Sequence, residues 1–462
     1  MAEAARAGDV VPVLVFDAAT RDRIARSPRR AAFYCGAGGS LNASVAARGS
    51  SLVLRRGPLV STVRALARES GADTVVWSSA YDAAGLARQR KLQSALEEAG
   101  LRAIAVHDAP AVPPEDTAAA RSAEGGTGYR ALVPYVAAWD EVRRAPFDAP
   151  VAFEPNELRS DALPQASEFG ARPMLDEPSE ARALAALATF LAGPALQYLS
   201  ARNVPGGEPT SHLSADLSFG TLAARTVVAR TDERLRDPFL LAEERLSLEA
   251  FRRAIAQRDF FLQLAWFFES RPDQALQPRM RRFPFASKHP ALAAWLEGRT
   301  GYPLVDAGMR QLRATGWMHP RVRSVAASFL CFDLGVDWRV GRDAWERELI
   351  EDDPALAAGN WQWAAGVGAD LAQFPRIYNP RKQAHSFDPR GAYVRHWISE
   401  LATVSDADVI DPSSSERRPQ LALALFNGNA YSAPVVDHEI AARDFLRRYA
   451  AFVESAEKKD VG

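Results

Sequence analysis

Two hydrophobic periods divide this chain of 462 residues. Over the first hundred positions short apolar runs alternate with amphipathic stretches: 10–16, 52–54, 74–77 and 102–106 read as strands, and 59–69 and 83–99 as helices, the second stopped by Gly100. That alternation predicts a parallel sheet flanked by helices, a doubly wound α/β layout. From 108 to 178 the chain is rich in Pro, Gly, Ala and charged residues, with only short helical fragments, and reads as a long interdomain connector. Beyond 179 the period becomes helical, over 181–191, 213–230, 248–268, 304–315, 321–334 and 437–455, which predicts an all-α domain. The expected division is therefore 1–107, 108–178 and 179–462, with a frayed tail from Glu457. The stretch from Cys35 to Ser40 holds three glycines, but their spacing fits neither common phosphate-loop fingerprint, so it reads as a flexible loop.

Composition narrows the possibilities only modestly. At 47% hydrophobic the chain can bury the cores of two or three domains, yet no window is apolar enough for a membrane span and the N-terminus lacks a signal-peptide pattern. A cytoplasmic protein without membrane contact is expected. Two cysteines, Cys35 and Cys331, cannot form a disulfide framework or ligate an iron–sulfur cluster, so a cofactor would be held without cysteine or metal ligands. Net charge is −1, but 271–342 carries twelve Arg or Lys against five Asp or Glu, Arg281, Arg282 and Arg321 among them. Such a stretch is either a solvated arginine-rich surface or a phosphate-contacting face.

Several short blocks carry chemistry. Thr210-Ser211-His212-Leu213-Ser214 places hydroxyls at the start of an apolar helical pattern; this reads as an N-cap, and a helix start of that kind also suits an anion. The run from Phe260 through Gln263 to Trp266 is a buried helix face by periodicity. Arg323 and the acidic run Glu351-Asp352-Asp353 could form a helix-end ion pair. Tryptophans crowd the region from 315 to 400: Gly316-Trp317-Met318-His319, Asp337-Trp338-Arg339 and Asn360-Trp361-Gln362-Trp363.

The order and spacing of these blocks resemble the DNA photolyase and cryptochrome family, with this chain a divergent bacterial-type member. The likeness runs from about Tyr198 to the C-terminus, through Arg376-Ile-Tyr-Asn-Pro380, Phe387-Asp-Pro-Arg-Gly391 and Tyr431-Ser-Ala-Pro434, and more loosely from Val10. The resemblance implies a Rossmann-like N-terminal domain, a helical domain enclosing one non-covalent FAD, and an optional pterin or deazaflavin antenna. It implies that Tyr198, Thr210, Ser211, His212, Leu213, Ser214, Phe260, Gln263, Trp317, Arg323, Glu351, Asp353 and Ala357 face the flavin. It implies further that Trp266, Gln263, Trp317 and His319 line a pocket for a flipped pyrimidine dimer, that Arg281, Arg282 and Arg321 meet DNA, and that Trp361 and Trp338 relay electrons.

Departures from the family pattern shape the functional expectation. Gln263 replaces a Glu that contacts the lesion, and Glu351 replaces an Asp. The third, surface tryptophan of the electron chain falls at Phe285, which is far harder to oxidise, unless Trp363, Trp345 or Tyr378 offers another route. Ala357 stands opposite flavin N5 and can neither donate nor accept a side-chain hydrogen bond, and Pro320 replaces the Asn after Trp-Met-His. The family's opening strand has no counterpart before Val10, which would leave a central gap in the sheet. The expected function is light-driven repair of cyclobutane pyrimidine dimers in damaged DNA by a monomeric deoxyribodipyrimidine photo-lyase. The alternative is a cryptochrome-type blue-light receptor that binds FAD without repair. A dark flavin reductase is disfavoured because no nicotinamide-binding fingerprint is present.

Overall fold

The computed structural model describes residues 2–123, 127–142, 153–207, 210–268, 272–369, 375–412 and 431–460. Residue 271, the first of the arginine-rich stretch 271–342, lies outside them. The chain folds as two compact units, one of Met1–Leu196, Ser211–Pro272 and Ile350–Leu356, the other of Gln197–Thr210, Asp273–Leu349 and Ala357–Gly462.

In the first unit the α/β pattern yields four strands: β1 (Val13–Phe16), β2 (Val53–Arg56), β3 (Thr74–Ser78) and β4 (Arg102–Val106). β1 pairs in parallel with β2, Val13 opposite Val53, and β3 with β4, Thr74 opposite Arg102. Among the described residues no ladder joins the two pairs, so the sheet consists of two separate two-stranded pieces. Helices Leu59–Ser70 and Ala83–Glu97 follow β2 and β3 as the apolar spacing predicts.

The Cys35–Ser40 stretch is a correction to the sequence reading. It lies inside the Pro28–Ala46 helix, which starts with the Ser27 hydroxyl accepting from the Arg30 N–H and with Pro28 in the first turn. A Cβ on Gly36 would lie 2.8 Å from Pro178 Cδ, so the small residues there make a flat face for a distant proline. The tertiary contact offsets the poor helix propensity of glycine. Burial also raises the Cys35 thiol to about 11, leaving it mostly protonated at neutral pH.

Residues after β4 form two helices, Pro114–Ala123 and Leu132–Glu141, both packed on the long Ala242–Phe268 helix. Two further predicted helices are reshaped. The 213–230 pattern breaks into Ser214–Phe219 and Ala224–Leu235 because Gly220 turns left-handed at φ +76°. The 321–334 pattern ends in a π-helical turn, Phe329–Asp333.

The second unit is helical, and its core gathers Trp295, Tyr302, Phe329, Trp338, Trp345, Trp361 and Phe445. Arg310 clamps Glu400 with two hydrogen bonds, at 2.7 and 2.8 Å. That hydrogen bonding holds the Glu400 carboxyl down at about 2, against partial burial that would raise it. Its folded pKa lies below the unfolded value, so the stabilisation is complete above pH 4.5 and lost as pH falls toward 2. Glu400→Gln should lower the unfolding free energy by about 1 kcal/mol at neutral pH. Urea titrations should show the gap from the parent closing as pH approaches 2.

Candidate functional site

Within the first unit, the acidic run is fixed by arginines far away in sequence. Asp352 pairs with Arg23 at 3.1 Å and Arg30 at 3.5 Å, its N–H donates to Ser218 Oγ at 2.9 Å, and Arg30 donates to the Glu351 carbonyl at 3.0 Å. Asp353 accepts from the Leu356 N–H at 3.2 Å, and Arg258 lies 3.8 Å away. Burial raises the Asp353 carboxyl, and Arg258 opposes that shift. Ser214 Oγ stands 3.5 Å from Glu351 Oε2, which brings the hydroxyl-bearing segment to the acidic run. The expected hydroxyl cap is absent: Leu213 occupies the cap position of the Ser214–Phe219 helix and makes no side-chain cap bond. The chain reaches that helix through His212, whose φ of +53° is unusual for a residue with a Cβ, and Leu213 is buried. In the second unit, Thr210 Oγ1 is buried without a hydrogen-bond partner among the described residues.

The Ala242–Phe268 helix carries the next group. Gln263, fully buried, accepts from the Tyr129 N–H at 3.0 Å and donates to the Tyr129 carbonyl at 2.7 Å. One helical turn earlier, the buried Asp259 accepts from the N–H groups of Ala111, Val112 and the Trp139 indole, at 2.8 to 3.1 Å. Phe260 is a core residue against Tyr135, with ring centroids 5.4 Å apart. Trp266 is half-buried and packs on His107 and Tyr81, at 4.8 and 5.9 Å between centroids.

In the second unit His319 is buried and caps the Pro320–Ser328 helix, its Nδ1 accepting from the Arg321 N–H at 3.2 Å. Pro320 takes the first helical position, where its missing N–H costs nothing. Trp317 meets His319 edge to face at 6.2 Å. Arg321 is tied to Asn203 Oδ1 at 2.8 and 3.1 Å and lies over Phe387, while Arg323 Nε donates to the Met318 carbonyl at 2.8 Å. Arg281 and Arg282 are exposed on the short Pro278–Arg282 turn. Tyr198, mostly buried, lies under Arg202, and Ala357 is a half-buried residue of the Pro354–Ala364 helix. Trp361 rests on Gly341, where a Cβ would come within 2.2 Å of its ring, and its centroid lies 4.5 Å from Trp345. Trp345 in turn stacks on Trp295, 6.1 Å away and 10° from parallel.

Comparison with known proteins decides the kinship. The family described as DNA photolyase matches residues 1–152, and the FAD binding domain of DNA photolyase matches residues 251–451. A deoxyribodipyrimidine photo-lyase of Halobacterium salinarum is 33% identical over 96% of this chain and 92% of its own length. A bacterial class III photolyase from Agrobacterium tumefaciens has the same fold, with a TM-score of 0.85, 30% identity and coverage of 98% and 94% of the two chains. A Synechocystis cryptochrome gives a TM-score of 0.83 at 26% identity, covering 96% and 95%. The chain belongs to the DNA photolyase and cryptochrome family. Its architecture is the family's α/β N-terminal region followed by a helical FAD-binding region.

Among photolyase-type residues, the structure brings Ser214, Glu351 and Asp353 together in one unit, and Gln263 and Trp266 on one helix. Thr210, Trp317, His319, Arg323, Trp338, Ala357 and Trp361 belong to the other unit. Sequence reasoning missed Arg23, Arg30, Arg258 and Asp259, since nothing local marks an arginine that will meet a carboxylate hundreds of residues away. It also missed Trp295 as a partner of Trp345. Among the described residues, no group of three or more His, Cys, Asp or Glu could hold a metal ion, and no single helix is long and apolar enough to cross a membrane. Gln263→Leu would remove both hydrogen bonds that this buried side chain makes to the Tyr129 backbone, at a cost of about 2–4 kcal/mol. Denaturant unfolding should show that loss, whereas Gln263→Glu, which keeps an acceptor for the N–H, should lose less.

Proposed function

We propose that this photolyase-family protein is a FAD-dependent, blue-light-driven deoxyribodipyrimidine photo-lyase that acts as a monomer on damaged DNA. The observation that carries the reading is kinship along nearly the whole chain with a protein of that name, at 33% identity. The buried, unpartnered Thr210 hydroxyl supports a phosphate-bearing cofactor, because a buried donor without an acceptor is costly unless a ligand supplies one. FAD, when bound in its reduced form, would supply the photoexcited electron donor that splitting of a cyclobutane pyrimidine dimer requires.

The chain's own residues bind and orient. In the first unit Ser211 and Ser214 would offer donors to a diphosphate, and in the second Thr210 and Arg323 are the residues of the family pattern that would serve bound FAD. Trp266 keeps a partly open face on which an extruded pyrimidine can stack. Gln263 holds the Tyr129 backbone and moves no proton, because both ends of its amide are engaged. His319, with Nδ1 accepting, carries its proton on Nε2 and shapes the start of its helix.

Trp361 would pass electrons inward, and its ring neighbour is Trp345, followed by Trp295. Trp338 stacks on no ring among the described residues and lies beneath the Arg339 and Arg342 guanidiniums, at 5.1 and 5.4 Å. Those cations disfavour removal of an electron from it. Trp345 is therefore the ring that would exchange an electron with Trp361. The cryptochrome-type reading is the second one, favoured by Ala357, which offers no side-chain hydrogen bond to the flavin edge.

Flavin-loaded protein, fully reduced by dithionite, should reverse thymine dimers under blue light; no reversal under those conditions rejects repair in favour of the receptor. Trp266→Ala should weaken binding of dimer-containing DNA by roughly tenfold to a hundredfold, measured in the dark by fluorescence anisotropy. Trp345→Phe should slow flavin photoreduction by about tenfold or more, with Trp338→Phe the milder change. The opposite order in transient absorption would restore the Trp338 route.

A further inference from the structure

Asp352 is the member of the acidic run that the family pattern leaves without a role, yet within the first unit it is gripped from two sides. On one side stand two arginines. Arg30, in the Pro28–Ala46 helix and only 1% exposed, donates to the carbonyls of Glu351 at 3.0 Å and Arg23 at 3.2 Å, and lies 3.5 Å from one Asp352 carboxylate oxygen. Arg23, in the Ala18–Ile24 helix, meets the other oxygen at 3.1 Å. On the second side are two hydroxyls of the Ser214–Phe219 helix, four residues apart: Ser218 Oγ accepts from the Asp352 N–H at 2.9 Å, and Ser214 Oγ lies 3.5 Å from Glu351 Oε2. The two sides are themselves joined, because Phe33 stacks on Phe219 with ring centroids 5.2 Å apart and 30° from parallel. The Pro28–Ala46 helix, the acidic run and the Ser214–Phe219 helix thus form a closed ring of contacts. An ion pair buried in this way adds little net stability, since desolvation of the two charges offsets their attraction. What it supplies is geometry: a guanidinium fork that spans a carbonyl and a carboxylate fits one arrangement of the backbone. The segment leading into Ser214 needs such support, because His212 is held at φ +53°.

We infer that Arg23, Arg30 and Asp352 form a clamp that preorganises the Ser211–Ser214 segment and the Glu351–Asp353 run for the flavin. They are positioning residues, acting through Ser218 and Glu351 rather than on the cofactor, and they give two helices of the α/β region a part in cofactor retention. No covalent or redox step is involved: the clamp removes backbone freedom before the cofactor arrives, which lowers the ordering cost of binding. The inference rests on the proposed flavin site.

FAD release from the holoprotein tests it, followed as the rise in flavin fluorescence after dilution, beside the flavin absorption spectrum and the melting temperature. Arg30→Met and Asp352→Asn should each speed release by roughly tenfold, and should blur the vibronic shoulders of the bound flavin band. The double variant should release FAD no faster than the quicker single one, because the two side chains act as a unit. Arg30→Lys, which keeps the charge but not the fork, should recover part of the loss. Ser218→Ala, which removes only the acceptor of the Asp352 N–H, should speed release by about threefold, and it carries the test if Arg30→Met does not fold. Strictly multiplicative effects in the double variant would overturn the inference, as would a parental release rate in Arg30→Met or, should that variant not fold, in Ser218→Ala. Faster release with an unchanged flavin spectrum and a lowered melting temperature would make the clamp a structural tie and overturn the inference as well. A parent protein that takes up no FAD would sink the proposed flavin site itself, whereas firm binding in the parent with parental release in the variants sinks the clamp alone.

Discussion

The Ala242–Phe268 helix is pinned by two buried polar side chains whose partners are mostly backbone groups. Asp259 and Gln263 are four residues apart, on one face of the helix, and between them they engage Ala111, Val112, Trp139 and Tyr129. Burying an amide or carboxylate without partners is costly, so these contacts favour one register of the 108–141 segment against the helix. Trp266 is the next residue along that face. Its place beside His107 and Tyr81 follows from the register.

The same logic explains why close backbone approach recurs around the site. Gly128, at φ +46°, lies where a Cβ would come within 2.9 Å of Gln263 Oε1 and 2.7 Å of the Phe267 ring, so only glycine lets the chain turn past the helix. Gly341 does comparable work in the second unit by giving Trp361 a flat seat on the Trp338–Glu346 helix. Trp338 and Trp345 flank that seat on the same helix face, yet they differ in electrostatic surroundings. Guanidiniums cover Trp338, whereas Trp345 continues into the Trp295 stack.

Much of this was legible in the chain. The four strands, the long helices and the family blocks follow from apolar period and spacing. What escaped detection depends on partners remote in sequence. Glycines at 36, 38 and 39 look like a loop until Pro178 is seen against Gly36, and Thr210 to Ser214 look like a hydroxyl cap until His212 turns the chain and Leu213 takes the cap position. Gln263 reads as a weakened lesion contact because its tie to Tyr129 spans 134 positions. The acidic run is obvious, but Arg23, Arg30 and Arg258, which fix it, are ordinary arginines in an arginine-rich chain.

Central to the proposed function is a flavin held by the helical region and reduced by light through the chain's own tryptophans. Its most direct test is the absorption spectrum of the purified protein, recorded before and after blue light under anaerobic conditions with a thiol reductant. Stoichiometric oxidised-flavin absorption that bleaches on illumination is the expected result. A protein that stays colourless after incubation with FAD, or a bound flavin that light leaves unchanged, would contradict it.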